Sequence, residues 1–102
     1  MKQQTLDFEK LAEKFKAIGH PVRVAMFQLL CHCPEEGLSV KGIYQTLGLD
    51  QPTASRHLAV MRNSGVVRRR TERGNTFYCL CLTDPDVSCL SGCFTNSKSK
   101  IE

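Results

Sequence analysis

SVKGIYQTLGLDQPTASRHLAVMRNS, residues 39–64, reads as two short helices around a tight Gly48-Leu49-Asp50 break. In the second helix Ala54, Leu58 and Met61 recur at i, i+4 and i+7 and form one apolar stripe. Its other side offers Gln51, Thr53, Ser55, Arg56 and His57, polar groups concentrated toward the helix N-terminus. One side made for burial and a leading end rich in amides, hydroxyls and a guanidinium suit a helix that reads base edges in a DNA major groove.

The flanking charge points the same way. Residues 56–73 contain six arginines (56, 62, 68, 69, 70 and 73) against Glu72 alone, a net of +5 in a chain whose total is +4. A solvated face usually mixes signs. Here every base is Arg, the side chain suited to bidentate phosphate and guanine contacts, so the expected partner is a polyanion.

At 102 residues and 41% apolar content, the chain fits one globular domain with a modest core. Charges at Lys2, Asp7, Glu9, Lys10, Glu13, Lys14, Lys16 and Arg23 do not suit a secretory signal. The uncharged run of residues 24–33 is about half the length of a membrane span. The expectation is a soluble, cytoplasmic protein without a membrane partner. Six cysteines in such a chain read as reduced thiols for metal, metalloid or redox chemistry rather than as a disulfide framework.

Working outward, Phe8, Leu11, Phe15 and Ile18 give residues 5–18 an amphipathic helical pattern. Gly19-His20-Pro21 ends it and opens a second helix, expected to run to about Cys31 and to be largely buried through Val22, Met26, Phe27, Leu29 and Leu30. Pro34 closes that helix. Ser39 caps a third, with Val40, Ile43 and Leu47 inward. After Ser64-Gly65, residues 66–71 and 76–82 read as two strands around a Glu72-Arg73-Gly74-Asn75 turn. Val87, Leu90 and Phe94 mark a closing helix, weak alone because of its Ser and Gly content. Residues 1–94 thus form a single domain, and residues 95–102 are expected to be a flexible tail.

The order of elements is that of a winged helix-turn-helix, mainly α with a β-hairpin. At FKAIGHPVRVAMFQLL, LSVKGIYQTLGLDQPTASRHLAVMRNSGVV and RGNTFYCL the chain resembles the ArsR/SmtB family of transcriptional repressors, over residues 8 to about 87. The resemblance implies a homodimer built through the first and last helices, and release of operator DNA when an inducer binds. It places Gln51, Thr53, Ser55, Arg56 and His57 at the major groove, and Arg73, Gly74 and Asn75 at a wing tip. Arg68 and Arg70 join the set as phosphate contacts. Pro52 stands where the family often has a small hydroxyl residue. Taken singly, a His such as His57 is more often a packing or phosphate-contact residue than a switch, and an Arg run only a solvated strand face.

Two of the family's inducer sites have no counterpart. Leu38-Ser39-Val40-Lys41-Gly42 lacks the third-helix thiols, and no histidine follows His57 to build a zinc site on the closing helix. Cys89 and Cys93 remain, four apart and on one helical face, with Cβ atoms about 6 Å apart. Soft thiolates select metalloids and soft metals. Related repressors capture trivalent arsenic or antimony in this region, so arsenite or antimonite is the expected inducer, with zinc or another soft metal ion as further ligands. DNA binding itself calls for no cofactor. The third thiolate is left open between Cys31, Cys33 and a thiol of the other subunit. The alternative is redox or reactive-sulfur sensing, with Cys31 or Cys33 pairing with Cys89 or Cys93. Cys79 and Cys81 share the face of Phe77 on their strand and read as core packing. An enzyme is not expected: adjacent Cys31 and His32 point apart on a helix, and no phosphate loop or paired carboxylate constellation occurs.

Overall fold

The two helices of residues 39–64 form as α3 (Val40–Leu47) and α4 (Gln51–Asn63). The hydroxyl of Ser39 accepts the Gly42 N–H at 3.0 Å and starts α3. Gly48 ends it at φ 70°, ψ 33°, a left-handed conformation that glycine adopts without a Cβ clash. Asp50 then caps α4, its carboxylate accepting the Thr53 N–H at 3.1 Å and the Thr53 hydroxyl at 2.8 Å.

In this computed structural model residues 7–33 and 36–101 are described, with the side chains of 95–101 set aside. The other elements are α1 (Phe8–Ile18), α2 (Pro21–Cys31), β1 (Leu38–Ser39), β2 (Val67–Glu72), β3 (Asn75–Leu80) and α5 (Pro85–Ile101). Asp7 caps α1, and Nδ1 of His20 accepts the Val22 N–H to open α2. Thr5 and Leu6, expected in the first helix, and Pro34, expected to close the second, lie outside the described residues. No helix among the described residues is long and apolar enough to cross a membrane.

The core lies where α2, α3 and α4 meet the sheet. Met26, Phe27, Ile43, Ala54, Leu58, Met61, Val66 and Val87 have no exposed surface. The predicted stripe of α4 is therefore its buried face. α5 lies on α2 through Phe94, whose ring centroid is 5.2 Å from that of Phe27. Its helix continues beyond Phe94 to Ile101, into the stretch expected as a tail, and no Gly or Pro between Cys93 and Ile101 interrupts it.

Two features depart from the sequence pattern. Residues Leu38 and Ser39 pair antiparallel with Tyr78 and Phe77, so the hairpin becomes a three-stranded sheet of order β1-β3-β2. Gly37, at φ 91°, makes this approach fit: a Cβ there would stand 2.4 Å from the Tyr78 carbonyl oxygen. On α1 the packed residues are Lys14, Ala17 and Ile18, while Phe8 and Phe15 stay 71% and 52% exposed. The apolar stripe read from the sequence is thus divided, with Ile18 in the chain's own core and Phe8 and Phe15 turned away from it.

Candidate nucleic-acid interface and thiol sites

On α4, Gln51, Ser55 and Arg56 are exposed. Thr53 is half-buried, and its hydroxyl proton is committed to Asp50. Those bonds, the Thr53 hydroxyl first, hold the Asp50 carboxyl below the usual carboxylate range. His57 is placed differently from the others. Its ring lies 4.5 Å from that of His20, tilted by 47°, so it packs on the start of α2. Burial, then the neighbouring His20, Arg23 and Arg56, keeps its pKa below the ordinary histidine value. His57 is thus half-buried against His20, unlike the exposed Gln51, Ser55 and Arg56.

The hairpin tip is a turn in which both Arg73 (φ 55°) and Gly74 (φ 80°) are left-handed. That twist suits a two-residue connection between antiparallel strands. Register divides the arginines between the two faces of the sheet: Arg68 and Arg70 oppose Cys79 and Phe77, whereas Arg69 opposes Tyr78. Arg70 is engaged within the protein. Its guanidinium donates to the Glu36 carbonyl at 2.7 Å, pairs with Glu72 and lies 4.9 Å from the Phe77 ring centroid. Arg68 donates through Nε to the sulfur of Cys79 at 3.3 Å. These two bases thus brace the hairpin, while Arg73 and Asn75 stand exposed at its tip.

Between the tip and the leading ends of α3 and α4 lies a cleft of about 270 Å³, lined by Lys41, Tyr44, Gln51, Gly74, Asn75 and Thr76 among others. It brings Gln51 and Asn75, predicted separately, onto one surface. It also adds Lys41 and Tyr44, which the sequence reading missed. Their signal was weak but present: a base in the first turn of a helix whose free N–H groups favour anions, with a phenol one turn on.

The thiols fall into two groups. Cys89 and Cys93 are both exposed on α5, one turn apart. Cys31 faces α5 from α2 and bonds to Ser91; burial outweighs that bond and pushes its thiol up. The Cys33 thiol donates to the Leu30 carbonyl at 3.2 Å. Cys79 is buried, yet it stands outside the main apolar cluster and lines a second cavity, of about 320 Å³, with Cys31, Cys33 and Arg68. Among the described residues no group of three or more His, Cys, Asp or Glu side chains is placed to hold a metal ion.

Comparison with known proteins places these features in company. The helix-turn-helix domain family is matched over residues 18–70. An uncharacterized HTH-type transcriptional regulator of Methanocaldococcus jannaschii is 40% identical over 70% of this chain and 78% of its own length. The biofilm growth-associated repressor of Xylella fastidiosa is 38% identical over 71% of this chain, a match spanning 64% of the repressor. HlyU from Vibrio cholerae N16961, solved also as reduced HlyU, superposes with a TM-score of 0.77 at 26% identity, covering 94% of this chain and 96% of that one. A homodimeric winged helix-turn-helix DNA-binding domain of Mycobacterium bovis, described as a possible ArsR-family regulator, gives 0.75 at 21% identity, covering 97% and 92%.

Proposed function

The chain belongs to the ArsR/SmtB family of winged-helix transcriptional regulators, and on that premise we propose that it is a homodimeric, cytoplasmic repressor that leaves its operator when its thiols react. The observation that carries the DNA reading is the polar cleft joining α4 to the wing tip. Gln51, Ser55 and Arg56 take base edges in the major groove. Lys41, Tyr44, Arg73 and Asn75 take phosphates. Thr53 serves through its remaining lone pairs, and Arg68 and Arg70 contribute chiefly by stiffening the wing. The exposed Phe8 and Phe15 of α1 support a second copy as the partner that covers them.

Selection of binding sites from random duplex DNA, followed by a salt titration of the selected site, tests this. The logarithm of affinity is expected to fall with the logarithm of salt at about −0.9 per phosphate neutralised. A flat response removes the DNA reading.

For the inducer, trivalent arsenic or antimony fits Cys89 and Cys93. Cβ atoms about 6 Å apart on one helix exceed the roughly 3.8 Å of a disulfide, but two sulfurs at that spacing bridge one soft ion. A third thiolate would come from Cys31, Cys33 or the partner subunit. Zinc or another soft ion would use the same pair. If protein carrying Cys89→Ser and Cys93→Ser still leaves DNA at the wild-type arsenite concentration, this assignment is wrong. The second reading is thiol oxidation, with Cys31 or Cys33 pairing with Cys89 or Cys93, and it is supported by the likeness to HlyU, solved also in reduced form. Mass spectrometry separates the two: bound arsenic supports the first, a crosslink the second.

A further inference from the structure

The cavity beside the wing holds thiols that DNA binding does not use. Leu30, Cys31 and Cys33 from the end of α2 line one side, and Arg68, Cys79 and Leu80 from the hairpin line the other. Leu82, 56% exposed, and the exposed Thr83 stand at its edge, so the space communicates with solvent. Its volume of about 320 Å³ admits several molecules the size of water, each needing roughly 30 Å³. Cys79 is only 7% exposed, and a guanidinium N–H lies against its sulfur. Such a donor binds a thiolate more strongly than a thiol. Cys33 lines the same cavity as Cys79, and burial pushes its thiol up.

We propose that Cys79 and Cys33 form a peroxide-oxidisable thiol pair, with Arg68 activating Cys79, and that closing it alters the wing. The Cys79 thiolate attacks one oxygen of hydrogen peroxide, breaking the O–O bond and giving a sulfenic acid and hydroxide. The Cys33 sulfur then displaces hydroxide from that sulfenic acid, forming the S–S bond; the released protons complete two waters. The two thiols are oxidised by two electrons, and one peroxide is reduced. The disulfide ties β3 to the end of α2 and disturbs the contact between Arg68 and the Cys79 sulfur. Both changes act on the strand pair that ends in Arg73 and Gly74. This device rests on the DNA-binding reading only for its output, because the crosslink is measured without DNA.

The test uses the full chain with Cys31, Cys81, Cys89 and Cys93 each replaced by Ser, leaving Cys33 and Cys79. After hydrogen peroxide, both thiols are expected to disappear together, with loss of the mass of two hydrogens and one intramolecular crosslink between tryptic peptides 24–41 and 74–98. Operator affinity is expected to fall about tenfold, with a salt slope shallower by about 0.9, and to recover with a dithiol reductant. Adding Arg68→Met is expected to slow crosslinking by roughly tenfold or more. Should the quadruple variant fail to fold, differential alkylation of the wild-type chain locates the crosslinked pair among its six cysteines. Persistence of both thiols, crosslinks only between chains, pairing of other cysteines, an unchanged crosslinking rate without Arg68, or a crosslink that leaves affinity unchanged each overturns the proposal. If the reduced chain binds no duplex, the repressor reading fails instead, and the crosslink result stands by itself.

Discussion

Lys14 is a charged side chain only 8% exposed, and it is satisfied by two carboxylates. Its ammonium donates to Asp84 at 2.7 Å and Asp86 at 3.1 Å, which raises its pKa, the Asp84 bond first. Burial alone would raise the Asp84 carboxyl, but the Lys14 bond and the N–H groups of Val87 and Asp86 outweigh it and hold the group low. A carboxylate held low in the folded state adds stability above its unfolded pKa of about 3.9, lost as pH falls through the folded value. Lys14→Met is expected to cost about 2 kcal/mol in urea unfolding at neutral pH and to flatten the loss of stability in acid. The aspartates are about a quarter exposed, so water takes up part of the deficit. His57 works in the opposite sense. Its folded pKa lies below the ordinary value of 6.5. The unfolded chain therefore binds the proton first as pH falls, and stability drops from pH 6.5 down through the folded value. In His57→Gln that slope should shrink in melts between about pH 7 and pH 5.

Among the elements, the ones legible beforehand were those whose signals are local. The Gly48-Leu49-Asp50 break and the Ala54–Leu58–Met61 stripe specify an interruption and a buried face within a few residues of each other, and both are found as read, with Asp50 turning out to cap the second helix. β1 was not legible. Two residues have no periodicity, and Leu38 and Ser39 become a strand only because β3 arrives beside them. Gly37 carries that dependence, so Gly37→Ala, with a Cβ 2.4 Å from the Tyr78 carbonyl oxygen and a left-handed φ, is expected to cost about 3 kcal/mol. Gly74→Ala, strained in φ but open in space, should cost about 1 kcal/mol. Chemical denaturation of the two variants side by side checks the ranking. Ser39→Ala, which removes the cap of α3, is expected to lose about 1 kcal/mol by the same measurement. The thiol cavity escaped the sequence for the same non-local reason. Strand alternation put Cys79 on one face with Phe77, but nothing local to it indicates that Cys33 and Arg68 close around it.

For the whole molecule, the proposed DNA-binding unit is a pair of chains, since two recognition helices must enter grooves about 34 Å apart. Phe8 and Phe15 are the side chains on which that pairing is expected to depend. Phe8→Ser with Phe15→Ser should shift sedimentation toward monomer and weaken operator binding at least tenfold, while the melting of each chain changes little. A dimer of unchanged strength would move the seam elsewhere. The helical pattern of α1 was legible in the sequence; which of its apolar residues face the chain's own core was not, because such a stripe does not say whether its cover is the same chain or another. The Lys14 clamp then acquires a mechanical meaning. It rivets the middle of α1 to the first turn of α5. The helix expected to carry the seam and the helix carrying Cys89 and Cys93 therefore form one lever rather than two. In the proposed repressor, a push at those thiols would reach the pivot between the subunits through that clamp.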